Sequence, residues 1–353
     1  MNDDQKTQWL LHQSRGGVKG IFFRFASVGE ALFVLLALVL VARILFRSLG
    51  FADADTFLFG EGVVPDFRAA AIAESQWHGI RYGLIIVAIY FIGRMRQRGG
   101  RTSYGLTTGA RSVLSLVAFG VGAFAVMHIP SLALRLTDSI FDIGPGTPFW
   151  SLMKKVEWDV DFWIYMAVSS FFVVPIVEEI VARGYLLGRL RESFSPGGAL
   201  LIMGLIFAAA HTQYHKTDLY SLGSLIALVW GSVIMGYAVY RTGSLIPAII
   251  AHGLVNIPTS LLADYAIVAV IALILFLFRV AIRENAGRLW AILRTINDWI
   301  SLVLVGAAII AFGMTLQSTS WAPYAWLAGL FSFFVASLFI KSTWATSRNL
   351  LRR

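Results

Sequence analysis

The sequence predicts an all-α protein, a polytopic transmembrane helical bundle with about ten spans and both termini in the cytoplasm. Composition is the first observation behind this prediction. Hydrophobic residues make up 58% of the 353 residues, charged residues only 14%, and the mean hydropathy is +0.73. Soluble domains carry about a quarter charged residues, so a cytosolic multidomain enzyme and a disordered chain are excluded. Because the chain has no cysteine, it has no disulfide framework and no thiolate metal site.

Long apolar segments are the second observation. A transmembrane helix needs about 20 mostly apolar residues, and segments of that kind follow one another along most of the chain. The predicted spans lie near 29–47, 78–95, 113–134, 161–182, 197–214, 219–240, 244–261, 262–280, 299–317 and 322–340. The stretch Arg283–Trp299 is amphipathic, which fits either a helix on the cytoplasmic membrane surface or a plain connector.

The basic residues test this topology independently. With a cytoplasmic N-terminus, 21 of the 29 Lys and Arg residues fall on the inner side, and the other eight (29 − 21) fall on the outer side. This split follows the positive-inside rule. The net charge of +9 therefore reflects membrane orientation, and the predicted partner is the lipid bilayer rather than nucleic acid.

Two adjacent carboxylates, Glu178 and Glu179, lie inside the predicted fourth span. A charge at mid-bilayer costs about 2.5–3.5 kcal/mol even on the most lenient insertion scale, so ionisable groups there are functional candidates. Glu179 and Arg183 are four residues apart, on one helix face, and can form an ion pair. Glu178 points about 100° away from that face and is left free for chemistry. The alternative is that the two carboxylates only mark the cytoplasmic end of the span.

Further polar side chains lie in the predicted fifth and seventh spans. The fifth carries His211, and the seventh carries His252 and Asn256, which share one helix face. Small residues such as Gly253 surround them and allow helices to approach closely. We expect these side chains to converge with the glutamates on one hydrated cavity. His128 is interpreted as a packing residue, and His12, His78 and His215 as loop or interface residues without a functional signal.

This set of side chains allows two kinds of hydrolytic chemistry. A glutamate and a histidine can together deprotonate water, while a second histidine and an asparagine amide can donate hydrogen bonds to an oxyanion. Alternatively, Glu178, His211 and His252 could bind zinc and activate a bound water. Spacing does not decide between them, because no His-Glu-x-x-His helix is present. Cysteine is absent and no Gly-x-Ser-x-Gly motif occurs, which disfavours a cysteine or serine nucleophile.

Three motifs together resemble one protein family. Glu-Glu-x-x-x-Arg at 178–183, Phe-x-x-x-His at 207–211 and His-x-x-x-Asn at 252–256 are similar, in order and content, to those of the CPBP family. This family comprises CAAX-processing proteases and bacterial Abi or bacteriocin-immunity proteins. The resemblance covers roughly 100–260. It divides the chain into an N-terminal segment with two spans (1–99), a protease core (100–261) and C-terminal spans (262–353).

The resemblance implies a glutamic intramembrane endopeptidase that cuts a peptide or membrane-protein substrate, in a bacterial inner membrane. Glu178 would activate water with the help of His211, and His252 and Asn256 would form the oxyanion hole. Supporting roles are implied for Glu179, Arg183 and Phe207. No cofactor is expected, with zinc as the alternative. Oligomeric state is not predicted.

Two other classes compete with the protease. One is a non-catalytic immunity or scaffold protein of the same family, in which the polar residues are only structural. The other is a transporter with a Glu and His proton relay, although the chain has no matched pair of broken helices in two repeated halves.

The predicted boundaries leave one difficulty for any shared site. Glu178 would lie about 7 Å from the cytoplasmic end of its span, but His211 about 20 Å from the corresponding end of its own. Tilt, a later helix start or a re-entrant segment is needed to bring them together.

Overall fold

The computed structural model describes residues 18–59, 63–95, 105, 107–108, 111–144, 156, 158–191, 193–216, 218–259, 261–296, 299, 302–303 and 305–309. All regular structure in these ranges is helical. Both termini and the predicted tenth span lie outside the described residues, as does much of the ninth.

Nine longer helices organise the described part of the chain. They are α1 Val18–Ser48, α2 Phe67–Met95, α3 Val113–Phe141, α4 Val160–Leu190, α5 Pro196–Ala210, α6 Leu219–Thr242, α7 Ile246–Val255, α8 Leu261–Leu277 and α9 Arg279–Leu293. Side-chain caps fix several of the starts, such as Asp159 at α4, Ser195 at α5 and Asp218 at α6, because each accepts an otherwise unpaired helix N–H.

The helical bundle is confirmed, and each of the first eight predicted spans contains a helix. In the described part of the chain, three helices (α3, α4 and α6) are long and apolar enough to cross a membrane, or four if α8 and α9 count as one bent span. By contrast, α5 and α7 have 15 and 10 residues, about 22 and 15 Å. Neither reaches across a hydrocarbon core of about 30 Å as a regular helix. Ten spans and cytoplasmic termini stay predictions.

The bundle is centred on the short helix α7. It packs against α3, α4 and α6, while α5 packs along α6, and α2 runs beside the first half of α4. Two glycines allow backbone-level contact around α7. A Cβ on Gly120 of α3 would lie 2.9 Å from Ile250 Cβ, and a Cβ on Gly253 would lie 2.9 Å from the Phe171 carbonyl oxygen of α4. The helices can therefore be this close only because glycine has no side chain at positions 120 and 253.

Helix α4 is irregular at the level of α7. Pro175 has no N–H, so the Phe171 carbonyl four residues earlier has no helical donor. The helix widens into a π-helical turn at Ala167–Phe171, breaks at Phe172 and resumes at Val173. The carbonyls before the break are consequently free to accept hydrogen bonds from a neighbouring helix. π-Helical turns of this kind are frequent at functional sites.

The boundary between α4 and α5 resolves the depth difficulty. Helix α4 continues to Leu190, well past its predicted end at 182, and α5 begins at Pro196. Glu178 therefore lies 12 residues before the end of α4 (190 − 178), and His211 lies 15 residues after the start of α5 (211 − 196). These separations correspond to about 18 and 22 Å. The two residues therefore lie at similar distances from the turn between α4 and α5, because α4 continues eight residues (190 − 182) beyond the predicted end of the fourth span.

The amphipathic stretch after α8 forms helix α9, which is bent by 82° from α8. It ends at Leu293, so Trp299 lies beyond it. The helix packs beneath the start of α5, where a Cβ on Gly197 would lie 2.5 Å from the Ile292 carbonyl oxygen. Tyr237 of α6 donates a 2.7 Å hydrogen bond to Asn285 Oδ1. The location of α9 on the membrane surface stays a prediction.

Replacing Gly253 tests the close contact between α7 and α4. We expect Gly253→Ala to push α7 away from the Phe171 carbonyl, because the added methyl meets rigid backbone, and so to lower the apparent melting temperature in detergent. Gly287→Ala is the matched control, since a Cβ there meets nothing within 4 Å. Equal melting temperatures for the Gly253→Ala and Gly287→Ala variants would contradict the proposed contact.

Candidate active site

A buried ion-pair cluster joins α4 to α7. Glu179 Oε1 accepts a 2.6 Å hydrogen bond from Arg183 and a 2.8 Å hydrogen bond from Nδ1 of His252. The side chains of Glu179 and Arg183 are 0% exposed and that of His252 is 5% exposed. The ion pair predicted from helical spacing is therefore present, and one oxygen of Glu179 also binds a histidine 73 residues away in sequence.

Arg183 extends this cluster to α5 and α6. Its guanidinium donates to the Ser232 hydroxyl at 2.8 Å and lies over the Phe207 ring, 4.6 Å from the centroid. The same ring contacts His211 and His252, with centroid distances of 4.7 and 5.8 Å. Phe207 thus contacts both histidines and the guanidinium with one aromatic ring, which explains a phenylalanine in this motif.

His211 follows the last residue of α5 and is partly exposed. Its Nδ1 lies 2.7 Å from the Phe207 carbonyl oxygen. A carbonyl only accepts, so Nδ1 carries the proton and Nε2 is the acceptor in the neutral ring. Glu178 is also partly exposed and is close enough to His211 for their charges to interact. The two groups predicted to activate water are therefore within electrostatic range of each other.

His252 and Asn256 lie one turn apart at the end of α7. The Asn256 amide donates a 3.1 Å hydrogen bond to the Ser170 carbonyl oxygen, one of the carbonyls before the break in α4. An amide nitrogen has two donors, so one N–H of Asn256 stays available. Since His252 Nδ1 donates to Glu179, its Nε2 is the atom that can face another group.

Tyr82 of α2 also lies at this site, and it was not predicted from the sequence. Its hydroxyl donates a 3.3 Å hydrogen bond to Glu178 Oε1 and accepts one from Arg81. His78 stacks on its ring at 5.0 Å and lies 3.2 Å from Glu74. His78 does not lie in a loop, because it is 7% exposed inside α2, and its location at the membrane interface stays a prediction. The signal in the sequence that could have indicated this cluster is the four-residue spacing of Glu74, His78 and Tyr82, which places them on one helix face.

His128 contributes to a separate polar network on the α3 side of α7. Arg135 Nη2 lies 3.2 Å from His128 Nε2 and forms a 2.8 Å ion pair with Asp264 of α8. Asp264 also accepts a 2.7 Å hydrogen bond from Thr259, just after α7. His128 is thus a hydrogen-bonded packing residue, as interpreted from the sequence. The network anchors the chain that follows Asn256.

The donor atoms do not fit a zinc site in this arrangement. In the part of the chain that the structure describes, no three His, Asp or Glu side chains group in a way that could hold a metal ion. The mechanism proposed for this site therefore uses no metal.

One comparison with known proteins identifies this region. Residues 160–258 match the family model described as Rce1-like, type II CAAX prenyl endopeptidase. The match confirms the resemblance to the CPBP, or CAAX protease, family and supports a membrane protease kind of enzyme. It covers 99 residues (258 − 160 + 1), from α4 through α7, and includes all three motifs. No curated protein and no solved structure matches the chain.

The seven predicted site residues thus lie on α4, α5 and α7 and immediately after α5 and α7. Glu179, Arg183 and His252 are buried, with Arg183 and His252 both bonded to Glu179, whereas Glu178, His211 and Asn256 are partly exposed. Their assigned catalytic roles stay predictions.

Arg183→Ala tests the buried cluster. The substitution leaves the Glu179 carboxylate buried without its cation, and we expect a loss of about 3–5 kcal/mol in the free energy of unfolding. Arg288→Ala is the matched control, because its 3.9 Å pair with Glu284 is exposed and worth less than about 1 kcal/mol. Thermal denaturation in detergent measures both. Equal effects of the two substitutions would contradict a stabilising role for the cluster.

Proposed function

We propose that this protein is an intramembrane endopeptidase that hydrolyses peptide bonds with a water molecule activated by Glu178 and His211. The proposal rests on the different surroundings of the two adjacent carboxylates. Glu179 is buried and ion-paired, whereas the adjacent Glu178 is partly exposed and within electrostatic range of His211. Glu178 is therefore the carboxylate of the pair that water can reach.

The reaction follows from the available atoms. The Glu178 carboxylate takes a proton from water while His211 Nε2 accepts a hydrogen bond from the same water. The resulting hydroxide attacks the carbonyl carbon of the substrate, and the carbonyl oxygen becomes an oxyanion. When the tetrahedral intermediate collapses, the C–N bond breaks and the proton held by Glu178 passes to the leaving amine.

His252 and the free N–H of Asn256 are the proposed donors to the oxyanion. Because His252 Nδ1 donates to Glu179, a donor at Nε2 requires a doubly protonated ring. In this mechanism Glu179 has two tasks, since it pairs with Arg183 and also holds His252 through Nδ1.

The proposed substrate is a peptide or membrane protein, and the proposed location is a bacterial inner membrane. The competing function is a non-catalytic immunity or scaffold protein of the same family. The accessibility of Glu178, His211 and Asn256 favours the protease, because a scaffold gains nothing from partly exposed polar side chains inside apolar helices.

Cleavage by the purified protein in liposomes tests the proposal. The probe is a library of synthetic membrane-spanning peptides that includes a farnesylated peptide with a C-terminal CAAX sequence. We expect cleavage by the wild type and a fall of at least about 1,000-fold with Glu178→Ala, because the base is lost. Arg288→Ala, remote from the site, should cut normally.

A strong chelator is the second arm of this experiment. We expect cleavage to continue in its presence, and loss of cleavage would favour the zinc alternative with Glu178, His211 and His252 as ligands. Equal cleavage by wild type and Glu178→Ala would refute the site assignment. A folded wild type that cuts no member of the library would favour the scaffold.

A further inference from the structure

Helix α2 lies outside the segment that matches the protease family, yet it reaches the candidate base. The match begins at residue 160, whereas Tyr82 is 96 residues before Glu178 in sequence and donates a 3.3 Å hydrogen bond to its Oε1. The N-terminal part of the chain therefore contributes a side chain to the site.

We propose that Tyr82 is a positioning residue that holds the Glu178 carboxylate in the orientation required to activate water. The inference rests on the proposed function of Glu178 as the base. Tyr82 would act through Glu178 and not on the substrate itself.

The packing of α2 against α4 supports this assignment. Tyr82 follows the first residue of α2 by 15 residues (82 − 67), and Glu178 follows the first residue of α4 by 18 (178 − 160). These separations are about 22 and 27 Å, so the two side chains lie at nearly the same level of adjacent helices. Tyr82 is itself 6% exposed and belongs to the main hydrophobic core.

Neighbouring side chains fix the phenol. His78 stacks on one part of the ring, and the Arg81 guanidinium lies 4.2 Å from its centroid. Arg81 also donates to the Tyr82 oxygen. With its oxygen already accepting from a guanidinium, the phenol directs its single proton to Glu178, and the positive charge of Arg81 strengthens that donation.

The hydrogen bond from Tyr82 fixes the orientation of the Glu178 carboxylate. One carboxylate oxygen of Glu178, Oε1, is held by Tyr82, which leaves Oε2 as the oxygen that takes the proton from water in the proposed mechanism. Without Tyr82, the carboxylate could rotate, and fewer molecules would be ready to react.

Tyr82→Phe separates positioning from packing, because the ring stays and only the hydroxyl is lost. Hydrogen bonds to charged groups are worth about 1.5–3 kcal/mol, so we expect kcat to fall by about 10- to 100-fold. KM should change by less than about threefold, since Tyr82 does not contact substrate in this proposal. Tyr237→Phe is the control, a buried tyrosine whose hydroxyl donates to Asn285 instead, and it should retain wild-type kcat.

A double-mutant cycle with Glu178→Asp tests whether Tyr82 acts on kcat through Glu178. The shorter aspartate does not reach the Tyr82 hydroxyl, so adding Tyr82→Phe to Glu178→Asp should reduce kcat by less than about twofold. Full additivity of the two substitutions, or an unchanged kcat in Tyr82→Phe alone, would overturn the inference. Melting temperatures of all variants show whether each protein is folded.

The outcomes also separate this inference from the proposed function. If Glu178→Ala abolishes cleavage and Tyr82→Phe cuts like the wild type, only the positioning role fails. If Glu178→Ala cuts like the wild type, the proposed base is wrong, and the positioning role fails with it.

Discussion

The site depends on one buried carboxylate that binds two partners. Glu179 Oε1 accepts from Arg183 within α4 and from His252 of α7, and all three side chains are removed from solvent. Breaking such a pair leaves an uncompensated charge in an apolar interior, which costs far more than breaking an exposed pair. This cost fixes the rotation of α4 and the position of α7 relative to it. The adjacent Glu178 is consequently turned toward the accessible side.

A second constraint comes from the backbone. Pro175 removes one helical hydrogen bond, and the π-helical turn before it presents the Ser170 and Phe171 carbonyls to α7. The first carbonyl accepts from Asn256, and the second lies where a side chain on residue 253 would clash. A helix irregularity inside the membrane is tolerated when neighbouring groups satisfy the freed carbonyls. Here that requirement places the amide of Asn256 next to the buried cluster.

The family match describes only part of the functional unit. It spans α4 to α7, which contains the three motifs but not the helices that surround them. Helix α3 supplies the glycine against which α7 packs, and α2 supplies the hydroxyl that binds Glu178. The N-terminal helices are therefore part of the architecture of the site as well as of the bundle.

Hydropathy and spacing by themselves determined the helical membrane class, the ion pair between Glu179 and Arg183, and the set of polar side chains on three helices. These features are local, because a helix places residues four apart on one face. The end of α4, the bond from His252 to Glu179 and the contact of Tyr82 with Glu178 were decided only by the tertiary structure. The last two partners lie 73 and 96 residues from the glutamates that they contact. No local pattern specifies such a pairing, because it depends on which faces of separate helices are packed together.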